Sequence, residues 1–152
     1  MAQKMFELVS VMLSALVVGV FWGPWLALSR SMASFEAAVF LAIAHRMNRN
    51  LATPMTVLMP LALASIVPVL FLSYGKPGPG FYLALVALAL LAVALLVTVA
   101  VEVPVVKQIA TWTVSTLPDN WQQLRDRWVS FHIVRVVSGI AGFAFLVAAA
   151  IF

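Results

Sequence analysis

The sequence predicts an all-α fold: a four-helix transmembrane bundle with an additional amphipathic helix before the second span. Three observations predict it. Of 152 residues, 64% are hydrophobic and only 9% are charged, with a mean hydropathy of +1.10. A soluble domain carries about 25% charged residues, so this chain has too little polar surface to cover a water-facing exterior. Four separate stretches reach the roughly 20 mostly apolar residues that a membrane span needs. Finally, the charges gather between those stretches rather than spreading through them.

Composition narrows the function classes further. Nine Lys and Arg against five Asp and Glu leave a net charge of +4. That is too little charge for a phosphate-backbone patch, which excludes nucleic acid as a partner. With no cysteine in the chain, disulfides, thiolate metal sites and redox dithiols are excluded too. The length suits a single membrane domain over 1–152.

The first span is expected over residues 5–28. Its start, Met1 to Glu7, superficially resembles a signal peptide, but the apolar stretch is too long and Glu7 spoils the basic region, so it reads as a retained membrane helix. Residues 33–50 have helical composition with no Gly or Pro. Glu36, Ala42, His45, Arg46 and Arg49 fall on one side, and Phe40, Ile43 and Met47 on another. This is the amphipathic helix, lying at the interface or extending the second span. That span is expected over 54–74, with Thr53 as N-cap and Pro54 in the first turn. Pro60 and Pro68 lie inside it and should kink it. The breaker-rich turn Gly75–Gly80 makes the second and third spans antiparallel neighbours. The third span, 81–103, is nearly pure Leu, Ala and Val and should stop at Pro104. The fourth is expected over 128–152, on a helix starting near Asn120 with Asp119 as N-cap and Gln122 completing a capping box. Ser138, Gly139 and Gly142 permit close packing of this span on a neighbour, within the chain or in a homo-oligomer.

The polar residues divide unequally between the two ends of this bundle. End A, the side of the first and third connections, receives Arg30, Arg46, Arg49, Lys107, Arg125, Arg127 and Arg135, seven of the nine cations. It also receives both histidines and all five tryptophans. End B keeps Lys4, Glu7 and Lys76, with Tyr74 and Tyr82 flanking its turn. The positive-inside rule then places end A in the cytoplasm and both termini on the non-cytoplasmic side. Topology alone does not explain why every Trp sits at one interface, nor why ionisable residues reach into the spans.

Glu102 lies near the end of an otherwise uncharged span, one helical turn after Thr98. On the fourth span, Trp121, Arg125, Trp128, His132, Arg135 and Gly139 form one stripe. A carboxylate and a guanidinium at similar depth should pair, because either alone in lipid is costly. Glu102 should therefore approach Arg135 or His132. Such a group is either a polar clasp that fixes packing or a ligand or catalytic pocket opening on end A. His45 reads as an interfacial polar residue or, with His132, as a candidate axial haem ligand. No Gly-rich phosphate loop, carboxylate-rich metal cluster, HExxH or Ser-His-Asp context occurs, and two histidines cannot supply a three-histidine metal site.

Three end-A segments resemble the anthrone oxygenase-like family of small four-span membrane proteins, most of them known only as a domain of unknown function. Ala44 to Pro54, with His45-Arg46-Met47-Asn48-Arg49 inside it, is similar to the family's stretch before its second span. Val101 to Trp112 resembles its motif after the third span. Trp121, Arg125 and Trp128, followed by His132 and Arg135, resemble its Trp-Arg-Trp-His-Arg signature. The likeness covers nearly the whole chain in order. There is a departure: many members carry an Asn pair after the Val-Pro dipeptide where this chain has Val106 and Lys107, and Asn where it has Glu102. The pattern is that of a bacterial subgroup, which implies the bacterial inner membrane and leaves the fungal substrate unassigned.

The resemblance implies an oxygenase that converts an anthrone to an anthraquinone with no cofactor, neither metal nor flavin. The base would be His132, with Glu102 orienting it or acting as the base, and Arg135 would stabilise the oxyanion. Trp112, Trp121 and Trp128 would wall a small aromatic or lipidic ligand, with Arg125, His45 and Arg46 completing the binding set. The alternative is a non-catalytic subunit of a larger membrane complex, whose polar residues only hold helices. The topology is directly testable: a reporter fused to the C-terminus is expected on the non-cytoplasmic face, and a cytoplasmic signal contradicts the charge distribution.

Overall fold

A computed structural model describes all of residues 1–152. It is all-helical, and four helices are long and apolar enough to cross a membrane. Helix α1 spans Ala2–Ala27 and passes into a 3-10 turn over Ser29–Ser34. Helix α2 spans Ala37–Ser73, α3 Gly80–Val97, α4 Val103–Ile109 and α5 Trp121–Ile151. A π-helical turn, Thr98–Glu102, joins α3 to α4.

The expected amphipathic helix exists as an extension of the second span. Helix α2 runs unbroken through Pro54, Pro60 and Pro68, so Thr53 caps nothing and Pro54 is interior. A proline removes one donor and crowds one carbonyl, a local defect that a long, well-packed helix absorbs. At 1.5 Å per residue, 37 residues reach about 55 Å, well beyond a hydrocarbon core of about 30 Å. The surplus carries Phe40, Leu41 and Ala44 inward at end A, where they are buried.

The third span likewise passes its expected stop. Pro104 sits in the first turn of α4, where a missing N–H is tolerated, so the rod continues to Ile109. The capping box before α5 does not form: the N-cap is Asn120, and no side chain bonds into the first turn. The turn between α2 and α3 needs its glycines, since Gly75 and Gly78 take φ values of 72° and 106°.

The helices form a closed ring in which α1 packs on α2 and α5, and α3 packs on α2 and chiefly on α5. Small residues bring α3 and α5 together. A Cβ built on Gly142 would lie 2.9 Å from Leu91 Cγ and 3.2 Å from the Ala87 carbonyl oxygen. One on Gly139 would meet the Phe21 ring at 3.1 Å. These small residues therefore serve packing within the chain. The core is layered. Val69, Ala84 and Ala149 lie toward end B, then Ile66, Ala87, Leu91 and Leu146, then Val17, Phe21, Met59, Ala62, Ala94 and Val136. The end-A layer is built on Met32, Phe40, Trp112 and Trp128.

Gly142→Val is expected to lower stability by about 1–3 kcal/mol, read as a lower melting temperature in detergent. Gly19→Ala, in a helix interior where an added Cβ meets nothing within 4 Å, is expected to cause no loss and a gain of up to about 1 kcal/mol.

Candidate functional site

The site grows from an irregularity in the third rod. The π turn over Thr98–Glu102 widens the helix by one residue and ends on Glu102, which is only 4% exposed. Single π turns inside α-helices re-aim side chains and are frequent at functional sites. Thr98 donates its hydroxyl to the Ala94 carbonyl at 2.7 Å, occupying an acceptor next to the disturbed ladder.

Opposite this turn, α5 presents its stripe inward: Arg125, Trp128, His132 and Gly139 are buried. Arg135 Nη1 lies 3.1 Å from Glu102 Oε2. This is the cross-helix pair that desolvation demands, since neither charge is tolerable alone in hydrocarbon. The same guanidinium stacks on Phe21 of α1, 4.5 Å from the ring centroid. His132 does not join the carboxylate. Its Nε2 donates to the Phe21 carbonyl at 3.1 Å. A carbonyl only accepts, so Nε2 carries the hydrogen and the imidazole lone pair sits on Nδ1. The Phe21 carbonyl lies in the turn before Pro24, where a proline loosens the backbone ladder.

Three buried polar atoms in this group have no hydrogen-bond partner: Glu102 Oε1, Trp128 Nε1 and Arg135 Nε. Their residues adjoin one another, because Glu102 pairs with Arg135 and Trp128 flanks the Glu102 carboxyl. The Trp128 indole N–H points to the Glu102 carboxyl, and Arg135 Nε has no partner within the protein.

Around them lies the aromatic layer. Phe40 stacks against Trp121 at 5.6 Å and meets Trp128 edge-on at 6.3 Å. Trp112 is buried in the same cluster, with Trp121 packed at its edge. Arg125 caps Trp121 with its guanidinium 5.2 Å from the ring and holds Asp126 at 2.8 Å. His45 donates Nε2 to the Ile109 carbonyl at 2.9 Å, which pins α2 to the end of α4. Arg46 is exposed beside it. The site residues thus gather in two tiers: Glu102, His132 and Arg135 with Trp128 at depth, and Trp112, Trp121, Arg125 and His45 nearer the surface.

Phe21 and Phe40 were not among the residues singled out from the sequence. Phe21 supplies both the acceptor for His132 and the surface under Arg135, and its signal was Pro24 one turn on. Phe40 had only its apolar periodicity.

Fold and site together define a four-span helical membrane-type protein with a buried carboxylate–guanidinium–imidazole group under an aromatic layer. The sequence profile of the anthrone oxygenase family matches residues 47–145, more than half of the chain, and the protein belongs to that family. No curated protein and no solved structure matches it.

Removing one member of the buried pair strands the other. Arg135→Met is expected to destabilise by about 3–5 kcal/mol, and the double variant Glu102→Leu/Arg135→Met by clearly less. Thermal unfolding of the three proteins in one detergent checks this, and additive losses would show that the two charges are not coupled.

Proposed function

We propose that the end-A group is a pocket for a small aromatic or lipidic ligand, and that the chain is a cofactor-independent oxygenase of the anthrone oxygenase type. The observation that carries this reading is the set of three unpartnered atoms on Glu102, Trp128 and Arg135. A purely structural clasp would satisfy its own donors and acceptors, as buried polar groups almost always do. An enolic or phenolic hydroxyl both donates and accepts, which complements a carboxylate, an indole N–H and a guanidinium N–H gathered at one place. Family membership supports the same class.

The chemistry suits these groups. A ring methylene flanked by aryl groups and conjugated to a carbonyl is acidic, because its carbanion is an aromatic enolate. His132 takes that proton on Nδ1, with the Phe21 carbonyl fixing the ring. Glu102 is the second candidate base, through Oε1. Arg135, held by Glu102 and Phe21, and Trp128 stabilise the enolate oxygen. The carbanion carbon bonds to O2, and the resulting peroxide is protonated from the base. Loss of water, taking the second methylene hydrogen, leaves the ketone. Overall, CH2 and O2 become C=O and H2O, with no external reductant. Trp112 and Trp121 offer flat surfaces to the rings.

The alternative is a non-catalytic subunit in which Glu102–Arg135 and His132–Phe21 only tie α1, the π turn and α5 together. Oxygen uptake with an anthrone by the reconstituted chain separates the two. His132→Gln, which keeps a donor for Phe21 but no basic nitrogen, is expected to lower the rate by about 10²–10⁴-fold with the melting temperature retained. A full rate in His132→Gln together with a dead Glu102→Gln moves the base to Glu102. No uptake by the wild-type chain favours the structural alternative.

A further inference from the structure

The outer surface of end A carries charges that the buried group does not use. Arg30, Arg46, Arg49, Lys107 and Arg127 are exposed. None of them forms an ion pair or a side-chain hydrogen bond within the chain, where the ion pairs are Lys4–Glu7, Arg125–Asp126 and Arg135–Glu102. The two lysines of end B are both engaged, Lys4 with Glu7 and the Ala150 carbonyl and Lys76 with Gln3. Unspent cationic donors are thus confined to one end of the bundle.

Four of these cations share a depth, and each belongs to a different rod. On the end-A side the apolar runs end at 28, 54, 103 and 128. Arg127 adjoins its run, while Arg30, Lys107 and Arg49 lie a few residues past theirs. At 1.5 Å per residue the farthest of them is about 8 Å out. The headgroup layer of one leaflet is about 5–8 Å thick. Arg46 lies farther out, about 12 Å beyond its run. Interfacial aromatics mark the same level. Trp22 and Trp25 stack at 5.1 Å, and the Arg30 guanidinium lies 5.8 Å from the Trp25 ring. Arg127 lies 5.9 Å from the Phe131 ring. A ring under a guanidinium uses its face and leaves the in-plane N–H edge free. That edge matches two oxygens of a phosphate.

Carboxylates are scarce at that depth. Asp126 is there, but Arg125 holds it at 2.8 Å. Asp119 precedes α5 and Glu36 precedes α2, both well outside the apolar runs. A headgroup ammonium would meet cations and no free carboxylate, whereas a headgroup of net negative charge meets unspent donors on every rod. We propose that end A is ringed by anionic phospholipid, with headgroup phosphates of that leaflet taken by Arg30, Arg49, Lys107 and Arg127, one rod each. The collar holds the four rods at one depth and selects net-negative over zwitterionic lipid. It is independent of the chemistry beneath it, because none of its four cations belongs to the buried group.

Spin-labelled phosphoglycerol and phosphocholine lipids with identical acyl chains, added to the full chain reconstituted in a bilayer, test this. The phosphoglycerol label is expected to associate with the wild-type protein at least about threefold more strongly at low salt. That preference should fall toward equality near 1 M salt, where screening acts within about 3 Å. Each of Arg30→Gln, Arg49→Gln, Lys107→Gln and Arg127→Gln should lower it, and the fourfold variant should abolish it while the phosphocholine label stays equally restricted. Lys4→Gln/Lys76→Gln at end B should keep it. Equal association of both labels with the wild-type protein would overturn the proposal. So would a preference that is indifferent to salt, that survives in the fourfold variant, or that is lost in the end-B variant. The wild-type salt series decides the matter even if the fourfold variant does not fold.

Discussion

A polar group inside hydrocarbon has no water to fall back on, so each must find its partner in the protein. Glu102 and Arg135 are the strongest case, and much of end A is arranged to let them meet. The π turn brings the carboxylate round. The stripe on α5 brings the guanidinium to the same depth. Gly139, on that stripe, leaves room for the Phe21 ring, which lies under the guanidinium. His132 then takes the Phe21 carbonyl, so one aromatic residue of α1 serves two charged or polar neighbours.

That constraint is incompletely met, which links packing to chemistry. The Arg135 Nε–H has no partner within a group that is otherwise closely matched, and the Trp128 indole meets the Glu102 carboxyl only loosely. The aromatic layer over them is built by parts of the chain that outrun the membrane core: the extension of α2 carrying Phe40, the continuation of the third rod through α4, and the foot of α5 carrying Trp121 and Arg125. The family match, over 47–145, includes α4 and the foot of α5 but neither α1 nor the start of α2 that carries Phe40. Phe21 and Phe40 thus enter the site from outside the matched segment.

Much of the fold was legible because the bilayer imposes its own length and polarity. Four apolar runs of the required length read directly as four spans, and the breaker turn read as an antiparallel pair. Punctuation was less reliable. Pro54 and Pro104 looked like boundaries and are interior to continuous rods, because a first-turn or well-supported proline costs little when neighbours hold the helix. Asp119 looked like a cap, but the helix starts at Trp121 with Asn120 as N-cap and its side chain unused. At the site, the helical period put Trp128, His132 and Arg135 on one stripe, and burial made Glu102 and Arg135 a pair. The π turn left no mark in composition. Nor did the choice of Phe21, rather than Glu102, as the partner of His132.

The sequence by itself determined that the chain has four helices long and apolar enough to cross a membrane and is polar chiefly at one end, because those properties follow from hydropathy, length and the position of a few charges. Only the tertiary structure decided which polar atoms meet and which stay open. Those outcomes depend on how far each rod runs and how it is rotated, at the scale of one helical residue. It also showed that Glu7, an apparent flaw in an apolar helix, is folded inward beside Lys4, Lys76 and the α3 N-terminus. The period of α1 places Gln3 and Lys4 one turn from Glu7, but not the turn and the α3 start that close over it.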